Sequence, residues 1–170
     1  FNDRKVETST KIYDRTGKIL LYDVHDDYKK TVIQNDQIKA YSKNATVAIE
    51  DSEFYHHNGV RLKSIIRAIG ANLFNVGRVQ GGSTITQQVV KNALLTQERT
   101  VERKIKEVIL AIKLEQTMNK DDILYMYLND NPYGGEIYGV EEASLYYFNK
   151  HAKDLNLTEA AYLAAIPKNP

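Results

Sequence analysis

Val101-Glu102-Arg103-Lys104-Ile105-Lys106-Glu107-Val108-Ile109-Leu110-Ala111-Ile112-Lys113-Leu114-Glu115-Gln116 is one unbroken helical pattern. At about 100° per residue, Val101, Ile105, Val108 and Ile112 fall in one narrow sector, which predicts the core stripe. Glu102, Lys106 and Lys113 share a second, solvated sector. The third holds Arg103 and Glu107 in line with Leu110 and Leu114, so two charged groups share a face with two leucines. A helix apolar on two sides is expected to be buried, which makes Arg103 and Glu107 candidates for a cleft wall. A plain i, i+4 ion pair between them accounts for the same phase equally well.

Helical spacing extends outward from this stretch in both directions. Upstream, Thr96 or Thr100 can cap it, and Gly81-Gly82-Ser83 places Ser83 to cap another helix through Val90 and beyond. A stripe of Leu62, Ile65, Ile66, Ile69, Leu73 and Phe74, flanked by Arg61, Lys63 and Arg67, predicts an amphipathic basic helix. On composition, packing on the core is favoured over membrane contact. Another helix is expected over about Gln37 to Asp51, with Ile38, Tyr41, Ala45, Ala48 and Ile49 inward. Before it, Thr10 to Val24 reads as two β-prone runs around a turn at Asp14 to Gly17, a hairpin. Downstream, Asn119 with Asp121 and Asp122 starts a helix through Leu128. Asn129 to Gly135 is a loop, and helices follow over about Val140 to Phe148 and Thr158 to Ile166. The expected fold is mainly α with a short N-terminal β-hairpin, organised as a connector over 1–36 and one domain over 37–170.

With 42% apolar content in 170 residues, the chain can bury one real core. The 23 basic and 22 acidic residues leave a formal net charge of +1, so no global field draws it onto nucleic acid. Any electrostatic function must be local. The absence of cysteine excludes disulfides and thiolate metal sites. No apolar run approaches the roughly 18 to 20 residues needed to cross a bilayer, and the chain opens on Phe1, so it reads as a piece of something longer.

Two groups of residues carry chemical potential. Glu50 closes the expected Gln37 to Asp51 helix beside Phe54, Tyr55, His56 and His57, neighbours able to desolvate or orient a carboxylate. A Glu-Asp pair at a helix end is ordinarily a solvated feature. His56 and His57 lack a third ligand at useful spacing. Lys91, Arg99, Arg103 and Lys104 form a basic cluster after the Gly-Gly-Ser helix start, where backbone N–H groups also favour anions. Such a cluster is what a diphosphate needs.

Four ordered motifs then resemble the peptidoglycan glycosyltransferase domain of class A penicillin-binding proteins and monofunctional glycosyltransferases. Glu50-Asp51-Ser52-Glu53-Phe54-Tyr55-His56-His57-Asn58-Gly59 fits E-D-x-x-F-x-x-H-x-G. Gly81-Gly82-Ser83-Thr84-Ile85-Thr86-Gln87-Gln88 fits G-G-S-T-I-T-Q-Q. Arg103-Lys104-Ile105-Lys106-Glu107 fits R-K-x-x-E, and Ile123 to Asn129 fits I-L-x-x-Y-L-N. Two departures stand out: Asn149 replaces the usual glycine of Y-F-G-K, and the chain stops at Pro170, before the family's last arginine-containing motif.

The resemblance implies a lysozyme-like helical lobe and a smaller membrane-facing lobe drawing on Ile65 to Val79, which raises membrane contact for the amphipathic stretch. It also implies that lipid II is polymerised into a growing glycan strand on the extracytoplasmic face of the bacterial cytoplasmic membrane. Glu50 is expected as general base and Glu107 as the second carboxylate, organising the cations or a divalent metal (Mg or Mn). Lys91, Arg99 and Arg103, with Lys104, are expected on the diphosphate, and Ser83, Thr84, Thr86, Gln87 and Gln88 on the donor side. Expected partners are a C-terminal transpeptidase domain and cell-wall synthesis proteins, with no nucleic acid. Two rivals use the same residues differently. A lysozyme-like hydrolase or lytic transglycosylase needs paired carboxylates and has no job for the basic cluster, whereas a non-catalytic glycan- or lipid-binding module does not need Glu50.

Overall fold

The computed structural model describes residues 9–24, 28–61, 82–94 and 100–168. The expected Leu62 to Phe74 helix and Arg99 therefore lie outside the described residues. The fold is mainly α, consistent with a lysozyme-like helical domain. Strands β1 (Thr10–Tyr13) and β2 (Leu20–Val24) form the antiparallel hairpin read from the sequence. Asp14 organises its turn by accepting from Thr16 Oγ1 and from the backbone N–H groups of Lys18 and Ile19. The Thr16 hydroxyl and then the Ile19 N–H hold the Asp14 carboxyl below its ordinary pKa.

The helices are α1 (Ala40–Glu50), α2 (Ile85–Leu94), α3 (Val101–Thr117), α4 (Lys120–Asp130), α5 (Val140–Phe148) and α6 (Leu157–Ala165). Thr100 caps α3 by accepting from the Arg103 N–H, and Asn119 caps α4 through the Asp122 N–H, as their positions predict. The cap of α2 is Thr84 rather than Ser83. The Gln87 N–H donates to Thr84 Oγ1 and the Thr84 N–H donates to Gln87 Oε1, a reciprocal capping box. Asn149 closes α5 in the left-handed region at φ 52. That conformation is one asparagine tolerates, so the family's glycine turn survives the substitution.

Two expected faces are corrected. In α1, Ser42 and Thr46 are buried while Tyr41 is exposed, and the helix starts at Ala40 because Asn35–Gln37 forms a separate 3₁₀ turn. Helix α1 packs on α6, whose buried residues Ala160, Leu163 and Ala164 are mostly small, and small side chains on both helices allow close approach. In α3, the predicted core stripe points outward: Val101 is 75% exposed and Ile105 56%, while Glu107, Ala111 and Leu114 are buried. The reason lies at Gly59, where an added Cβ would sit 2.7 Å from the Ala111 carbonyl oxygen. Helix α3 lies on the Gly59 loop with its smallest residue inward, and this rotation turns the β-branched row to the outside.

Gly59 also adopts φ +86, a region costly for any L side chain. Gly59→Ala combines that strain with a backbone clash and is expected to destabilise by roughly 3 kcal/mol. Urea unfolding would measure it, and a midpoint equal to wild type would contradict this account of the contact.

The arm after the hairpin is held by the C-terminal half of the chain. Strand β3 (Lys29–Lys30) pairs in parallel with β4 (Ile137–Tyr138). Asn129 accepts from the Ile33 N–H at 3.0 Å and donates back to the Ile33 carbonyl at 3.4 Å, and buried Lys30 pairs with Asp130. Among the described residues no helix is long and apolar enough to cross a membrane.

Candidate active site

The last turn of α1, the first turns of α2 and the start of α3 meet through three connected polar groups. The first is Asp51, which closes α1 and is fully buried. Its Oδ2 accepts from the Ile85 N–H at 3.1 Å and meets His57 Nε2 at 2.9 Å, while Arg61 Nε lies 3.6 Å from Oδ1. A carboxylate at a helix N-terminus also meets the positive end of the helix dipole. Asp51 thus fastens the end of α1 to the start of α2. The general rule that a Glu-Asp pair at a helix end is solvated fails for Asp51, while Glu50 is half-buried. Helix phase gave no signal for it, because Asp51 is bonded across a sequence gap to the N-terminus of α2.

The second group is Glu50. Its Oε2 accepts from Gln88 Nε2 at 2.7 Å, while Oε1 is buried without a hydrogen-bond partner. Two buried tyrosines lie within its electrostatic reach. The Tyr127 hydroxyl is raised well above its ordinary pKa by burial first and then by the negative charge of Glu50, with Tyr133 contributing less. Burial and the same Glu50 charge push Tyr133 upward. Both tyrosines therefore stay protonated and can only donate to an anion. Sequence periodicity alone reads Tyr127 as core, since it lies between Leu124 and Leu128 in α4.

The third group surrounds Glu107, which is 2% exposed. Its carboxylate accepts from Arg103 Nη1 at 3.0 Å, from Gln87 Nε2 at 3.2 Å and from Lys104 Nζ. Lys104 Nζ also donates to Ser83 Oγ at 2.9 Å. The i, i+4 pair of the sequence reading is present, and it belongs to a network that fixes two cations beside the N-terminus of α2. A divalent metal does not fit Glu107 as it stands, because two cations and an amide already occupy its oxygens. Among the described residues no cluster of His, Asp or Glu forms a metal site.

The remaining expected residues are distributed as follows. Thr84 and Thr86 are fully buried, their hydroxyls donating to the Gly59 carbonyl and to Glu115, each at 2.5 Å. Glu115 in turn accepts from Lys120, whose ammonium also donates to the His57 carbonyl and lies 4.5 Å from the Phe54 ring centroid. Lys91 sits exposed in the last turn of α2. The structure therefore gathers Glu50, Ser83, Gln87, Gln88, Arg103, Lys104 and Glu107 around one helix start and keeps the two threonine hydroxyls inside the scaffold.

Residues 17–170 match the family model described as Transglycosylase. The chain is similar to penicillin-binding protein 1F of Bacillus subtilis, at 45% identity over 165 residues, covering 97% of this chain and 23% of that protein. It is also similar to penicillin-binding protein 1A of Aquifex aeolicus, at 48% identity over 163 residues, covering 95% and 22%. A third relative, penicillin-binding protein 1A of Clostridium tetani, is 41% identical over 163 residues, covering 94% and 20%. The chain thus spans a quarter or less of the length of these curated relatives.

Proposed function

This chain belongs to the transglycosylase family, the peptidoglycan glycosyltransferases, and on that premise we propose that it polymerises lipid-linked disaccharide into glycan strands. The 4-hydroxyl of the incoming lipid II attacks the anomeric carbon of the lipid-diphosphate-linked strand. A β-1,4 bond forms with inversion, the bond to the diphosphate oxygen breaks, and undecaprenyl diphosphate leaves. A hydroxyl is a weak nucleophile at neutral pH, so a carboxylate must take its proton in the transition state. Glu50 fits that role: Gln88 fixes one oxygen and leaves the other unspent. The leaving diphosphate is a weak base that requires charge neutralisation more than protonation. Arg103 and Lys104, with Lys91 and Arg99, supply it, and Ser83, Gln87 and Gln88 bound the donor side.

The observation that carries this reading is the commitment of Glu107 to Arg103 and Lys104. A hydrolase of the lysozyme kind needs two working carboxylates. Here one carboxylate is unspent and the other is an anchor for cations, the division of labour that transfer from a diphosphate requires. No step is assigned to a divalent cation. The similarity to penicillin-binding proteins supports an accompanying penicillin-binding transpeptidase domain and work at the outer face of the cytoplasmic membrane, beside other cell-wall proteins.

Incubation with lipid II in detergent tests the reading. Undecaprenyl diphosphate and glycan polymer in step are expected. Cleavage of preformed glycan without polymer would favour the hydrolase, and binding without turnover the non-catalytic module.

A further inference from the structure

We propose that Lys120 is a positioning residue for Glu50, acting through His57 and Asp51 to hold the end of α1 in place. The proposal rests on the reading of Glu50 as the base and adds a residue to its support. Lys120 opens α4, a position where the positive end of the helix dipole disfavours a cation. Local rules put acids in a first turn, as they do at Asp121 and Asp122 beside it. The Lys120 side chain is nevertheless only 19% exposed, and it reaches back to the loop that follows α1. A lysine set against its own helix and largely taken out of water is held there by what it touches.

Those contacts converge on one loop. The Lys120 ammonium donates to the His57 carbonyl at 2.6 Å and to Glu115 Oε1 at 2.7 Å, and it lies 4.5 Å from the ring centroid of fully buried Phe54. Glu115 is anchored in turn by Thr86 of α2. Next to Lys120, Asp121 accepts from the Tyr55 hydroxyl at 3.1 Å, so the first turn of α4 grips Phe54, Tyr55 and His57 together. From His57 the grip passes to the site. Its Nε2 meets Asp51 Oδ2 at 2.9 Å, and since an ionised carboxylate can only accept, Nε2 carries the proton. The same Asp51 oxygen accepts from the Ile85 N–H, and Asp51 is the chain neighbour of Glu50. The path from Lys120 to the base thus runs through two hydrogen bonds, both made by His57, and one peptide link. A misplacement of about 1 Å can cost on the order of 10² in rate, so a lost post at His57 is felt at Glu50.

Lys120→Met in the full chain tests this, because it keeps the apolar stem near Phe54 and removes the donors. The expected result is a fall in kcat of about tenfold with KM for lipid II within about twofold of wild type, read at a temperature where circular dichroism shows both proteins folded. His57→Ala cuts the same path one bond nearer the base and should lower kcat about as far, and the double variant should fall no further than either single one. A double variant whose loss equals the product of the two single losses would overturn the proposal, as would wild-type kcat in Lys120→Met or a defect confined to KM. The His57 Nε2 proton, slowed in exchange by Asp51, should exchange faster in Lys120→Met, and unchanged exchange counts equally against the path. Should Lys120→Met not fold, His57→Ala decides: about tenfold lower kcat at unchanged KM supports the path, and wild-type kcat overturns it. Failure of the unchanged chain to make polymer would count against the transferase reading, while exchange of the His57 proton still decides the contact.

Discussion

Glu50→Gln is expected to lower the polymerisation rate by a factor on the order of 10² to 10⁴ with lipid binding retained. The substitution preserves volume and leaves an amide able to meet Gln88, so the end of α1 should stay in place. What it removes is the group that accepts the acceptor hydroxyl's proton. The structure favours this separation, because Asp51 holds the Ile85 N–H at the start of α2 and the bond from Gln88 can be kept by the new amide's oxygen. Thermal unfolding should therefore move little while turnover collapses. A folded Glu50→Gln enzyme with near-normal polymerisation, or one whose only defect is weaker substrate binding, would remove Glu50 from the base role.

Glu107→Gln is expected to do the opposite and damage fold and donor binding together. Breaking a buried ion pair leaves its partners uncompensated and can cost about 3–5 kcal/mol. The partners here are unequal, since Arg103 is 17% exposed at the side chain and Lys104 is 45%. Solvent screening discounts the Lys104 share, so about 2 kcal/mol of destabilisation is expected, most of it through Arg103. Turnover should fall roughly 10²-fold, as the cations lose the geometry that neutralises the leaving diphosphate. Affinity for a phosphoglycolipid inhibitor should fall as well, and Arg103→Ala should weaken it more than Lys104→Ala. If calorimetry gave Glu107→Gln wild-type affinity for that ligand, Glu107 would not be an organiser of the anion site.

The elements most legible in the sequence were those governed by local chemistry. Thr100 and Asn119 sit where cap residues belong, the hairpin follows its turn residues, and α5 spans the residues that periodicity gives it. What failed was the choice of face. In α3 the rows containing Val101 and Leu114 are both apolar, and no intrahelical property distinguishes them. The decision comes from the close approach of Gly59 to Ala111, a contact between segments far apart in sequence. The site divides along the same line. Arg103 and Glu107 show themselves through helix phase, whereas Glu50 stands out only through its motif. The buried states of Asp51 and Tyr127 depend on partners that no single helix contains.

The clasp between the N-terminal arm and the helices also bears on how the molecule is assembled. The bonds of Ile33 to Asn129 and of Lys30 to Asp130 join residues 96 and 100 positions apart. Contacts of that range lose much loop entropy before they return any stabilisation, and they form late and slow folding. Strand β3 leaves the ribosome well before its partner and stays unpaired until β4 has been synthesised. In this polypeptide the residues of the arm wait for partners about a hundred positions later before they find their place.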